Sequence, residues 1–144
     1  LAKVKAKSRD DVRRQAIIVL SDGEDTTSLV SFEEVMELAR RSETAIYSIG
    51  LHPRDQGALK GFREAEFVLR QLAQETGGRS FFVQRAEELG GVYGQIADEL
   101  SSQYTMGYAP KNSKRDGAWR KVQVQVVRPN VTVRTRRGYY APAR

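Results

Sequence analysis

The chain has no cysteine and a single histidine. Without cysteine there is no disulfide, no thiolate nucleophile and no sulfur-ligated metal site. Any histidine-dependent chemistry must therefore pass through His52. No apolar run approaches the roughly 18 residues that cross a bilayer as a helix. Prolines number four in 144 residues, and there is no internal repeat or low-complexity stretch. Apolar side chains make up 40% and charged ones 29%, which excludes wholesale disorder and suits one packed domain with a small appendage.

The charge that is present is unevenly placed. Residues 1–110 carry 14 basic and 17 acidic side chains, whereas residues 111–144 carry 10 and 1. The formal net charge of +6 is thus a property of the last quarter of the chain.

Ala16-Ile17-Ile18-Val19-Leu20 is an unbroken apolar run closed by Ser21-Asp22-Gly23. A short β-branched run without alternation predicts a strand buried on both faces, as in parallel sheets. Ser31 and Glu34 form a capping box ahead of the helical stripe Phe32, Val35, Met36 and Ala39. Ala45–Gly50 reads as a second strand, followed by the loop His52-Pro53-Arg54-Asp55. A second helix carries Phe62, Ala65, Val68, Leu69 and Leu72, and Gly77-Gly78 stops it. Ser80–Val83 is a third strand, and Leu89, Val92, Tyr93, Ile96 and Leu100 share one face of a third helix. The order β-α-β-α-β-α predicts an α/β fold with a Rossmann-like parallel sheet and helices on its faces.

The pattern then changes to period two. Tyr104, Met106 and Tyr108 alternate with polar or small residues, as do Val122, Val124 and Val126, then Val131 and Val133. Such alternation predicts antiparallel strands with one buried face. Asp116-Gly117 and Pro129-Asn130 suit the turns between them. Residues 104–140 are expected to form a three-stranded meander whose valines pack on the body, giving a boundary between residues 1–103 and a β extension at 104–144.

Ile17-Ile18-Val19-Leu20-Ser21-Asp22-Gly23-Glu24-Asp25-Thr26 resembles the fourth-strand motif of von Willebrand factor A-type (VWA) domains, where a hydrophobic strand ends in Asp-Gly at the sheet rim. The elements as far as Thr76 and the Gly77-Gly78-Arg79 strand entry fit the second half of that family. Tyr104–Tyr108, Lys114–Gly117, Arg128-Pro129 and Arg137–Tyr140 look like a subgroup of bacterial VWFA-related proteins. The resemblance runs from about Arg13 to the end. It implies the C-terminal half of a VWA fold, since the Asp-x-Ser-x-Ser of the family's first metal loop does not occur. The upstream half is accordingly expected to lie on a longer parent chain. The family's fourth strand lies beside its first, so Ala16–Leu20 is expected to present an unpaired edge open to self-association.

Of the family's metal-ion-dependent adhesion site only Asp22 carries over, as one oxygen donor to Mg²⁺ or a similar divalent cation in the intact domain. One carboxylate does not hold a hard cation, so no cofactor is expected in this chain alone. The same Asp22 equally suits a backbone cap of its own loop. Glu24 and Asp25 add acidity but lack the later bidentate glutamate of a Ca²⁺ loop. Ser21, His52 and an aspartate such as Asp55 have the residue types of a hydrolytic triad, without a nucleophile elbow. Lys121, Arg134, Arg136 and Arg137 are candidates for binding a partner or anion, with Trp119, Tyr139 and Tyr140 among them. Basic residues also guard exposed strand edges, the plainer reading of the same pattern.

The resemblance implies a non-enzymatic protein-binding or adhesion-type module, metal-dependent only in the intact parent chain. Its expected partner is a protein, and its expected setting is an exported bacterial one, periplasmic or extracellular. Nucleic acid is not the expected partner; polyanion or nucleic-acid binding through the basic C-terminal β-element is the alternative. A hydrolase using His52 is the second alternative.

Overall fold

A computed structural model describes residues 15–22, 30–52 and 59–143. The elements are β1 (Ala16–Ser21), α1 (Phe32–Ser42), β2 (Ala45–Leu51), α2 (Leu59–Thr76), β3 (Ser80–Val83), α3 (Leu89–Ser101), β4 (Trp119–Lys121) and β5 (Gly138–Tyr140). The first three strands form a parallel sheet in the order β1-β2-β3, with Ile17 beside Ile46 and Ile49 beside Phe81.

Strand β2 lies at the centre, and its alternation fills two separate cores. Tyr47 and Ile49 join Phe81, Val83, Val92 and Ile96 on the α3 side. Ile46 joins Met36, Ala39 and Leu72 on the side of α1 and α2. At roughly 1.5–3 kcal/mol for each large apolar side chain fully buried, these two layers supply the main stabilisation. Ser48, wholly buried in the same strand, donates to the Leu69 carbonyl at 3.2 Å and pairs with Ser80 Oγ at 2.8 Å. Its hydroxyl is thereby satisfied and ties α2 to β2 and β3.

The helix boundaries follow local chemistry. Ser31 and Glu34 close the capping box reciprocally, Glu34 N–H to Ser31 Oγ at 3.2 Å and Ser31 N–H to Glu34 Oε2 at 3.1 Å. Helix α2 ends in a Schellman bond from Gly78 N–H to the Ala73 carbonyl at 2.9 Å, with Gly77 at φ +82°. Both glycines also permit close approach. A Cβ on Gly77 would lie 2.6 Å from the Arg136 amide nitrogen, and one on Gly78 would run into the Ile46 carbonyl.

Two expectations are corrected. Strand β1 is not buried on both faces, since Ile17 is 48% exposed and Leu20 52%. Among the described residues it pairs with β2 alone, so it is an edge strand with little covering it.

The tail also differs. Only β4 and β5 form a ladder, antiparallel with Trp119 opposite Tyr140. It is extended at one end by Val122 N–H to the Arg137 carbonyl at 2.8 Å and at the other by Ala141 N–H to the Ala118 carbonyl at 3.0 Å and an isolated Asp116–Ala143 bridge. Tyr104, Met106 and Tyr108 are exposed and lie in no strand. Val126, Val131 and Val133 are also exposed instead of packing on the body. Pro129-Asn130 does make a turn, with Asn130 at φ 60°. Asp116-Gly117 does not join two strands; Asp116 Oδ1 instead accepts from Ala118 N–H at 3.0 Å as the chain enters β4. Val122 and Val124 are half-buried and line the gap between the tail and the end of α2 with Gln74, Gly77 and Gly78.

Replacing Gly78 by alanine is expected to destabilise the protein by more than about 2 kcal/mol, since backbone and not a flexible side chain must yield. Urea unfolding checks this. A midpoint equal to that of the unsubstituted chain contradicts the packing described for α2 against β2.

Candidate functional site

The three parallel strands end together at one rim. β1 delivers Ser21 and the exposed Asp22, β2 delivers His52, and β3 ends at Val83. The register fixes this, with Ser21 beside Gly50 and Leu51 beside Val83. His52 donates its backbone N–H to the Val83 carbonyl at 2.8 Å. Its ring lies 4.3 Å from that of Phe62 and 6.4 Å from that of Phe82, centroid to centroid. The imidazole is thus packed on aromatic rings at the rim. Pro53–Asp55, like Glu24 and Asp25, lies outside the described residues.

The basic candidates lie elsewhere, where the tail meets the helices. Arg137 Nη1 is 3.2 Å from Glu75 Oε1, and its Nη2 donates to Gln74 Oε1 at 3.2 Å. The Arg137 backbone N–H also reaches the Glu75 carbonyl at 3.3 Å. From the opposite side Arg40 Nη2 meets Glu75 Oε2 at 3.1 Å, so this 8%-exposed carboxylate is held between two guanidinium groups. Arg134 and Arg79 converge on Glu99 Oε1 at 2.6 and 2.9 Å. Arg136 pairs with Glu43 at 2.9 Å. Lys121 is exposed, with no carboxylate partner among the described residues.

Aromatic contacts complete the docking. Trp119 and Tyr140 stack edge-on at 4.8 Å, with Arg40 over Trp119 at 5.5 Å and Arg41 over Tyr140 at 4.4 Å. Gly138 is required here, because a Cβ would strike the Trp119 ring and the Arg120 carbonyl. The Tyr140 hydroxyl donates to the Glu37 carboxylate. That bond, helped by Arg41 and Arg40, holds Glu37 below the ordinary glutamate value of 4.5. The same bond raises Tyr140 above the ordinary tyrosine value of 10.0. On the far side of the sheet, burial and the nearby Glu99 carboxylate raise the Tyr47 phenol.

The parallel sheet, the Asp-Gly rim and the flanking helices agree with one family. A family model for the von Willebrand factor type A domain matches residues 1–95. The chain belongs to the von Willebrand factor type A domain family. VWA domains are generally protein-interaction or adhesion modules and typically have no enzymatic activity. A search of curated proteins gives no match. A crystal structure of an uncharacterized membrane spanning protein from Vibrio fischeri is similar at 26% identity and a TM-score of 0.49. That match covers 60% of this chain and 47% of the other. No helix among the described residues is long and apolar enough to cross a membrane.

The VWA family implies a divalent cation at the rim. Among the described residues no three His, Asp or Glu side chains converge closely enough to hold one. Asp22 alone does not fit a hard cation that takes about six oxygens. The structure brings Arg134, Arg136 and Arg137 onto carboxylates and leaves Asp22 and His52 at the rim. The carboxylates that receive the tail, Glu37, Glu43, Glu75 and Glu99, were not singled out in the sequence. The one signal for them was the charge contrast between body and tail.

Divalent binding is expected to be no tighter than millimolar, about −4 kcal/mol or weaker. Calorimetry with Mg²⁺ or Mn²⁺ checks this, and micromolar binding by these residues contradicts it. For the docked tail, Glu75→Gln is expected to cost about 1–2 kcal/mol in urea unfolding, allowing for the partial exposure of both arginines.

The Tyr140–Glu37 bond also sets a pH window. Glu37 is depressed on folding, so its contribution is present above 4.5 and lost as pH falls through the lower folded value. Tyr140 is raised, so its contribution is full below 10.0 and lost as pH rises through the higher folded value. Fluorescence of Trp119, the only tryptophan, should be flat between these limits and change on either side. Tyr140→Phe should abolish both changes; an unaltered profile in that variant removes the bond as their cause.

Proposed function

We propose that this chain is a protein-binding module without catalytic chemistry of its own, and that it recruits other chains through the outer edge of its sheet. The observation that carries this reading is β1. Ile17, Ile18 and Leu20 are 40–52% exposed on a strand that pairs on one side only among the described residues. An apolar edge strand recruits further strands or apolar surface. VWA membership supports the same reading, since the family's members generally bind proteins. Metal dependence is proposed for the intact parent domain alone. There Asp22 would be one oxygen donor among others, because the described residues do not fit an ion by themselves. An exported setting, periplasmic or extracellular, accords with the resemblance to bacterial VWFA-related proteins. The proposed division is a VWA-type part at residues 1–103 and a β extension at residues 104–144.

The engagement of three of the four basic candidates by carboxylates weighs against polyanion binding as the main activity. A polyanion would have to displace Glu43, Glu75 and Glu99 from Arg136, Arg137 and Arg134.

Sedimentation is the test. The chain is expected to associate with rising concentration, with slow amide exchange along residues 16–20. Combining Ile18→Lys with Leu20→Lys should return it to a monomer with little change in unfolding midpoint. A wild-type monomer with fast exchange along β1 overturns the proposed edge.

A further inference from the structure

The tail docks on the body through Arg134, Arg136 and Arg137, and this leaves a second surface uncovered. Val126 is 50% exposed, Val131 46% and Val133 36%. These valines lie on two extended arms, residues 123–127 and 131–135, joined by the Pro129-Asn130 turn. Among the described residues, no backbone N–H or carbonyl of either arm has a hydrogen-bond partner within the protein. The arms thus have the alternation of strands, an apolar face that is open at Val126 and Val131 and half-covered at Val124, and a free row of main-chain donors and acceptors. That combination is a template for strand addition, in which the main chain supplies affinity and alternate side chains supply specificity.

Charge selects the occupant. Residues 117–144 contain seven basic side chains and no acidic one. Four of the seven already meet carboxylates of this chain, Arg120 at Asp116 and the three docking arginines on the helices. Lys121 and Arg128, at the two ends of the first arm, have no carboxylate partner among the described residues. The same arms of a second copy would bring like charge against like charge. We propose that arms 123–127 and 131–135 capture an extended acidic segment of another protein, with apolar residues alternating with Asp or Glu. Its apolar side chains would cover the valine face, its main chain would pair with an arm, and its carboxylates would meet Lys121 and Arg128. This surface is separate from β1, and it stands or falls independently of the binding edge proposed above.

The test uses the full chain and three synthetic ten-residue peptides: alternating Val and Glu, alternating Val and Lys, and the acidic peptide with two central prolines. Fluorescence anisotropy measures binding, and amide exchange locates it. The acidic peptide should bind at least tenfold tighter than either control and weaken as salt rises. It should also slow exchange within residues 122–136. Combining Val126→Asp with Val133→Asp should reduce binding at least tenfold while the unfolding midpoint holds, because both side chains are exposed. The edge variant with lysines at Ile18 and Leu20 should bind the peptide unchanged.

Equal binding of the proline-bearing peptide overturns strand addition. Protection confined to β1, or loss of binding in the edge variant alone, overturns this surface while leaving the β1 edge standing. If heparin competes fully and no exchange protection appears within the arms, the site is a general polyanion surface and the proposal fails. Self-association that protects the arms without any peptide makes a second copy the occupant, which also overturns it.

Discussion

Glu75 holds the tail in place. It lies near the end of α2, 8% exposed, and a carboxylate so placed is costly unless its charge is matched. Arg40 matches it from α1 and Arg137 from the tail, so the same pair of bonds that neutralises the helix end fixes the entry to β5. Around this point the other contacts fall into register. Arg136 reaches Glu43 just beyond α1, and Tyr140 reaches Glu37 one helical turn into the same helix's exposed side. Gly77 then matters twice, ending α2 in a left-handed conformation and leaving room for the backbone at Arg136.

This electrostatic seat sets how the tail lies on the body, with Val122 and Val124 half-buried and Val126, Val131 and Val133 exposed. The body offers carboxylates at this surface, while Ile46, Tyr47 and Ile49 of β2 are taken up by the two cores on either side of the sheet. The tail therefore docks mainly by charge and aromatic stacking, and Val126, Val131 and Val133 remain available to another molecule. The result leaves apolar side chains uncovered at β1 and on the arms. Such an arrangement suits a module whose work is to bind.

Among the described residues the rim gathers no cluster that could hold a cation. Asp22 is where the family's strand ends, yet a cation needs several oxygens converging on one point. His52 is at the same rim, but its ring rests on Phe62 and Phe82. Of the residue types that look like a triad in the sequence, the described structure places Ser21 and His52 at this rim, and Asp55 lies outside the described residues.

Local pattern decided much of the fold. The capping box at Ser31, the Gly77-Gly78 stop, the three parallel strands and the Pro129-Asn130 turn were all legible, because each depends on residues within a few positions of one another. The open edge of β1 was expected from the family resemblance alone, since an apolar run has the same sequence whether or not a neighbour covers it. The direction in which the tail faces was not legible. Alternation says that a strand has two unlike faces, but which face turns inward depends on what the surface beneath it offers. That surface is assembled from Glu43, Glu75 and Glu99, residues far apart in sequence that only the packed helices bring within reach of one short basic segment.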